Sequence, residues 1–124
     1  MNNPKFSVQN AIFTSACAAL TILILWLALI PAVSAPVGTG WDKLNHVGAI
    51  ALITGLAFLS LRTGRRAAEA AFLYGISLGI LIEIFQTTMT TTRTAEWGDL
   101  LADVIGAGCA YGLISIFQIK RGNI

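Results

Sequence analysis

Glu83 stands within "GILIEIFQ", residues 79–86, among some of the most apolar side chains of the chain, and Gln86 follows one helical turn later. Positions three or four apart share a helical face, so this carboxylate and amide can act together. Asp42 and His46 are four residues apart, as are Asp99 and Asp103, while Lys43 and Arg93 lie close to these groups in sequence. An imidazole beside carboxylates can serve general acid–base or nucleophilic chemistry. The two basic side chains are natural contacts for an anion such as a phosphate. The same acids with His46 also offer oxygen and nitrogen ligands to a divalent ion. Lys43 and Arg93 in the same place argue against that use, and no metal or other cofactor is expected.

The elements that must position these groups are membrane spans. In 124 residues, 56% of side chains are hydrophobic and only 11% are charged, and the mean hydropathy is +0.75. Soluble domains are not built this way. Four apolar segments, approximately 10–30, 44–61, 67–86 and 100–119, each approach the ~20 residues that cross ~30 Å of hydrocarbon. Short connections join them, so the chain predicts one domain over 1–124: an all-α integral membrane bundle of four helices running up-down-up-down. Cys17 and Cys109 lie inside apolar segments without motif spacing, which suits packing rather than a disulfide or metal site.

Basic residues orient such a bundle, because short cytoplasmic loops retain Lys and Arg. Lys5, Arg62, Arg65, Arg66, Lys120 and Arg121 share one side, against Lys43 and Arg93 on the other. Both termini are therefore expected to be cytoplasmic. Asp42, Glu83, Glu96, Asp99 and Asp103 gather at the outer end, and Glu69 alone sits inside. The net charge of +2 hides this asymmetry. Anionic lipid explains the basic end, and nucleic-acid binding is not indicated. Val33-Ser34-Ala35 looks like a signal-peptide cleavage site, but the long apolar run before it and Pro36 after it favour a retained first helix. Trp26, Trp41 and Trp97 fit interfacial anchors at one level.

Helical spacing brings the polar groups together. Gly75, Gly79, Glu83 and Gln86 form one stripe of the third span, and Asp99, Asp103, Gly106 and Ala110 form one stripe of the fourth. At 1.5 Å per residue, Glu83 lies about 24 Å along a helix entering near Ala67, roughly one turn below the outer surface. Asp103 reaches a similar depth. Asp42, Lys43, His46, Glu83, Gln86, Arg93, Asp99 and Asp103 can therefore converge in one outer-leaflet pocket. A charge at a helix centre costs roughly 2.5–3.5 kcal/mol on insertion scales, so such groups are expected to face the protein interior. Gly75 with Gly79 and Gly108 with Gly112 are small pairs suited to close packing, with a homodimer as the alternative use.

"DKLNH" at the start of the second span, "EIFQ" at the end of the third, Arg93 in the following loop and "DLLADVIGAGCAYG" opening the fourth resemble the VanZ-like membrane proteins. The resemblance covers roughly Trp41 to Gly112. It implies a four-helix membrane domain with Asp42, Lys43, His46, Glu83, Gln86, Arg93 and Asp99 in the family's polar positions. Asp103 stands where the family usually has asparagine. The founding member is associated with resistance to teicoplanin, a lipid-bearing glycopeptide, without an assigned reaction. A role in the bacterial cell envelope, at the cytoplasmic membrane, is the implied inheritance.

Three uses of the pocket remain open at this level. It can bind or process an amphipathic envelope component, lipid-linked or glycopeptide-like, whose tail stays among membrane lipids. It can be an intramembrane enzyme for phosphoryl or acyl transfer or hydrolysis on a lipid-linked substrate, with His46, Glu83 and Asp99 as catalytic candidates. It can also be a structural polar network that fixes helix register in an accessory protein. The threonine-rich "TTMTTTRTAEWGD" reads as a polar outer connection, with sugar contact as the alternative.

Overall fold

Apolar side chains such as Ile22, Leu73, Leu113 and Ile119 are between 62% and 70% exposed, a surface that suits lipid and not water. They belong to a computed structural model that describes residues 8–34, 42–61 and 65–122. Four long helices carry the chain, α1 (Val8–Leu29), α2 (Asp42–Ser60), α3 (Arg65–Met89) and α4 (Trp97–Lys120), with one short 3-10 turn at Ala32–Ser34. No strand occurs among the described residues. All four helices are long and apolar enough to cross a membrane, and the protein is an integral membrane protein. Lys5, Ala35, Pro36, Trp41 and Arg62 lie outside the described residues.

The arrangement is two triangles of helices that share an edge. α2 and α3 each pack against the other three helices, whereas α1 and α4 do not touch. Alternating directions make α2 parallel to α4, which is why residues near both N-termini can meet. Ile50 and Ile53 of α2, Ala71 of α3 and Ala107 of α4 are fully buried, and Cys17, Ile24 and Ala28 bring α1 into the same core. Small residues permit this density. A Cβ at Gly106 would lie 2.5 Å from the Val47 carbonyl oxygen and 3.2 Å from the Ala51 amide nitrogen, so α2 and α4 touch backbone to backbone there. Association of spans in lipid relies on such close contacts, because burying apolar area from lipid gains little.

The glycine pairs divide by direction. Gly75 packs against Thr54 and Ala107, and Gly79 against Asp103, so that pair is used inside the bundle. Gly108 and Gly112 have no neighbour within 4 Å of a built Cβ. Cys17 is buried, whereas Cys109 is exposed on α4 and is not part of the core.

Both helices that flank the threonine-rich connection are longer than their apolar runs. α3 continues past Gln86 to Met89, with Thr88 Oγ1 donating to the Ile84 carbonyl at 2.7 Å and Thr90 Oγ1 to that of Gln86, one of the four carbonyls left open at the helix end, at 2.6 Å. α4 starts at Trp97, three residues before the apolar run predicts. At the opposite end Arg65 Nε donates to Glu69 Oε1 at 3.1 Å, and the Arg121 guanidinium lies 4.2 Å from the Phe117 ring centroid.

Candidate functional site

The first two turns of α2 and α4 and the last two turns of α3 bring the acids into one cluster. α2 supplies Asp42, Lys43 and His46, spaced so that all three lie near its N-terminal end beside α4. Lys43 Nζ donates to Asp99 Oδ1 and to Glu96 Oε2, each at 3.1 Å. Its chain lies across Gly98, where a Cβ would sit 2.6 Å from Lys43 Cε. A side chain at that position would push the ammonium away from Asp99.

One turn deeper, His46 Nδ1 lies 2.9 Å from Asp103 Oδ1. An ionised carboxylate only accepts, so Nδ1 is the protonated nitrogen of this pair. Asp103 is completely buried and His46 retains 13% of its side-chain surface. The other carboxylate oxygen, Oδ2, presses against α3 at Gly79, where a Cβ would lie 2.7 Å from it. The small face of α3 thus gives Asp103 its place.

Glu83 acts on the neighbouring connection. Its Oε2 accepts the Glu96 backbone N–H at 2.9 Å, and Glu96 is the N-cap residue of α4, with extended backbone and no side-chain cap of its own. A carboxylate from α3 therefore holds an N–H at the start of α4, a position where negative charge is also favoured by the helix dipole. This explains why α4 begins early. The hydroxyls of the connection have similar local duties: Arg93 N–H donates to Thr90 Oγ1 at 3.2 Å and Ala95 N–H to Thr87 Oγ1 at 3.0 Å.

Beside this cluster lies a cavity of about 240 Å³ between the C-terminal half of α1, the start of α2 and the end of α3. Ile24, Leu27 and Ala28 of α1, with Ala49, Ile50 and Ile82, form its apolar wall. Asp42, Asn45, His46, Gln86, Arg93 and Asp103 form its polar wall. Five of the eight residues singled out by spacing thus line the cavity, whereas Lys43, Glu83 and Asp99 stand behind it and fix the helices that do.

Two contributors carried little signal in the sequence. Glu96 was visible only as one more acid in a polar loop, and nothing local shows that it receives Lys43 and gives its N–H to Glu83. Asn45 sits between Asp42 and His46, and its place on the cavity wall becomes evident only once α1 is packed against α2. Several buried atoms here have no partner among the described residues: Glu83 Oε1, Asp103 Oδ2 and Arg93 Nε. A buried polar atom without a partner costs about 1–3 kcal/mol, so such atoms identify places where something else can bind.

No curated protein and no solved structure matches the chain. The sequence pattern of the VanZ/LLP1 family does, over residues 7–118. The match extends beyond the polar motifs of residues 41–112 to include the first helix, the helix that supplies the apolar wall of the cavity. The chain is a member of the VanZ/LLP1 family.

Proposed function

We propose that this protein binds an amphipathic cell-envelope component in a bacterial cytoplasmic membrane, with the cavity at the outer-leaflet level and both termini inside. The two-sided cavity carries this reading: one wall is aliphatic and the opposite wall holds an amide pair, an imidazole, carboxylates and a guanidinium. Its volume of about 240 Å³ is below the ~300–1,000 Å³ of pockets that enclose whole small molecules. It accommodates a head group and the first part of a chain, and the remaining tail stays in lipid. Arg93 supports an acidic head group, because its Nε is buried without a partner and a guanidinium N–H makes strong bonds to phosphate or carboxylate oxygens.

Thermal stability of the detergent-solubilised protein, with and without an extract of bacterial envelope lipids, tests the reading. Wild type is expected to be stabilised by the extract. Arg93→Gln is expected to fold normally and to need about ten- to hundredfold more lipid for the same shift, from the ~1.5–3 kcal/mol of a charge-assisted hydrogen bond. Equal responses would remove Arg93 from the site, and no response in wild type would leave the polar groups as a structural network.

One observation favours the enzymatic reading as a second: Asp103 holds the His46 ring in one tautomer on the cavity wall, 2.9 Å away. An imidazole so held is suited to proton transfer during phosphoryl or acyl transfer on a lipid-linked substrate. Product formation from a retained lipid, lost in His46→Gln with binding intact, separates this reading from binding alone.

A further inference from the structure

Four acids, Asp42, Glu83, Asp99 and Asp103, stand around His46 against two bases, Lys43 and Arg93, so negative charge is in excess there. Lys43 is occupied by Glu96 and Asp99, so it supplies nothing to the two deeper carboxylates. Glu83 is 7% exposed and Asp103 is 0% exposed, and each retains one oxygen, Oε1 and Oδ2 respectively, that is buried without a partner. Asp103 Oδ2 faces α3 at Gly79, one turn before Glu83 on the same stripe. A His46 nitrogen and one oxygen from each acid lie within 4.8 Å of one another. Ligand atoms on one ion at bond lengths of about 2.0–2.2 Å lie about 3.3–3.6 Å apart, so side-chain adjustments of up to about 1 Å would close such a trio onto one ion.

We propose that His46, Glu83 and Asp103 hold a divalent transition-metal cation of the zinc or manganese type. One imidazole and two carboxylates suit these ions, whereas magnesium and calcium prefer oxygen throughout. Nδ1 is the ring nitrogen on the Asp103 side, so the ion takes the place of the proton there and the neutral ring carries that proton on Nε2. Glu83 is oriented by its second oxygen, which is held by the Glu96 N–H. Three protein ligands leave coordination positions open toward the cavity that His46 and Asp103 line. The neighbouring group of Asp42, His46 and Asp99 is the weaker site, because Asp99 is already paired with Lys43 and Asp42 is exposed.

The test is a zinc titration of the full chain in detergent after chelator stripping, read by calorimetry and by metal analysis after dialysis. One zinc per chain is expected, with no substitution by equimolar magnesium. Glu83→Gln and Asp103→Asn, which preserve side-chain shape, should each weaken uptake at least about tenfold, and Glu69→Gln at the opposite end should not. X-ray absorption of the zinc-loaded wild type needs no variant to fold, and should show one imidazole nitrogen with oxygen neighbours. Failure of wild type to take up zinc, sulfur in the first shell, or unchanged affinity in Glu83→Gln would each overturn the assignment and leave protons as the partners of these carboxylates.

Discussion

His46→Leu should destabilise the metal-free protein by about 3–5 kcal/mol, because it leaves the Asp103 carboxylate buried with neither oxygen partnered. Asp103 is 0% exposed and is confined by Gly79 on one side and His46 of α2 on the other. Adding Asp103→Leu should restore most of the loss. Leucine has the branching of aspartate with methyl groups in place of oxygens, and replacing both members of a buried pair by apolar groups is often neutral or stabilising. The double-variant cycle, read from denaturation of chelator-treated protein in detergent, isolates the pair from the shape of its site. If the single variant were as stable as wild type, the pair would hold no structural role.

Gly106→Leu should cost at least about 3 kcal/mol, the upper range of ordinary overpacking, and is expected to abolish monodisperse protein. The clash is with backbone: the Val47 carbonyl oxygen at 2.5 Å and the Val47 Cα at 3.1 Å from the first added carbon. Backbone atoms of α2 cannot rotate away, so the variant must separate α2 from α4. That seam carries both Lys43–Asp99 and His46–Asp103. At Gly108, two residues along the same helix, an added Cβ meets nothing within 4 Å, and Gly108→Leu should leave size-exclusion profile and melting temperature unchanged. Equal behaviour of the two variants would refute the close α2–α4 approach.

Much of this was legible in the sequence because period and composition report it directly. The four spans follow from apolar runs, and the inward placement of Glu83, Gln86, Asp99 and Asp103 follows from the cost of charge in lipid. What stayed hidden depends on how helices cross. Spacing puts His46 and Asp103 at similar depths but does not show that the parallel pair α2–α4 is in backbone contact at Gly106. Nor does spacing distinguish Gly75 and Gly79, which face inward, from Gly108 and Gly112, which face out. The early start of α4 was missed because its determinant, the Glu83 carboxylate on the Glu96 N–H, is thirteen residues away on another helix. Asp103 places a carboxylate against His46, a group the sequence could locate but not pair.

The central claim is that the cavity between α1, α2 and α3 receives an envelope amphiphile, and native mass spectrometry of gently solubilised protein tests it most directly. Ala49→Phe adds a phenyl ring within the cavity of about 240 Å³ and leaves the polar side chains unchanged. Wild type should carry a bound lipid at one per chain, and Ala49→Phe should lose it while remaining monodisperse with an unchanged melting temperature. Retention of the same lipid by a folded Ala49→Phe protein, or bare wild type under conditions that preserve lipid in other membrane proteins, would contradict a binding role for this cavity.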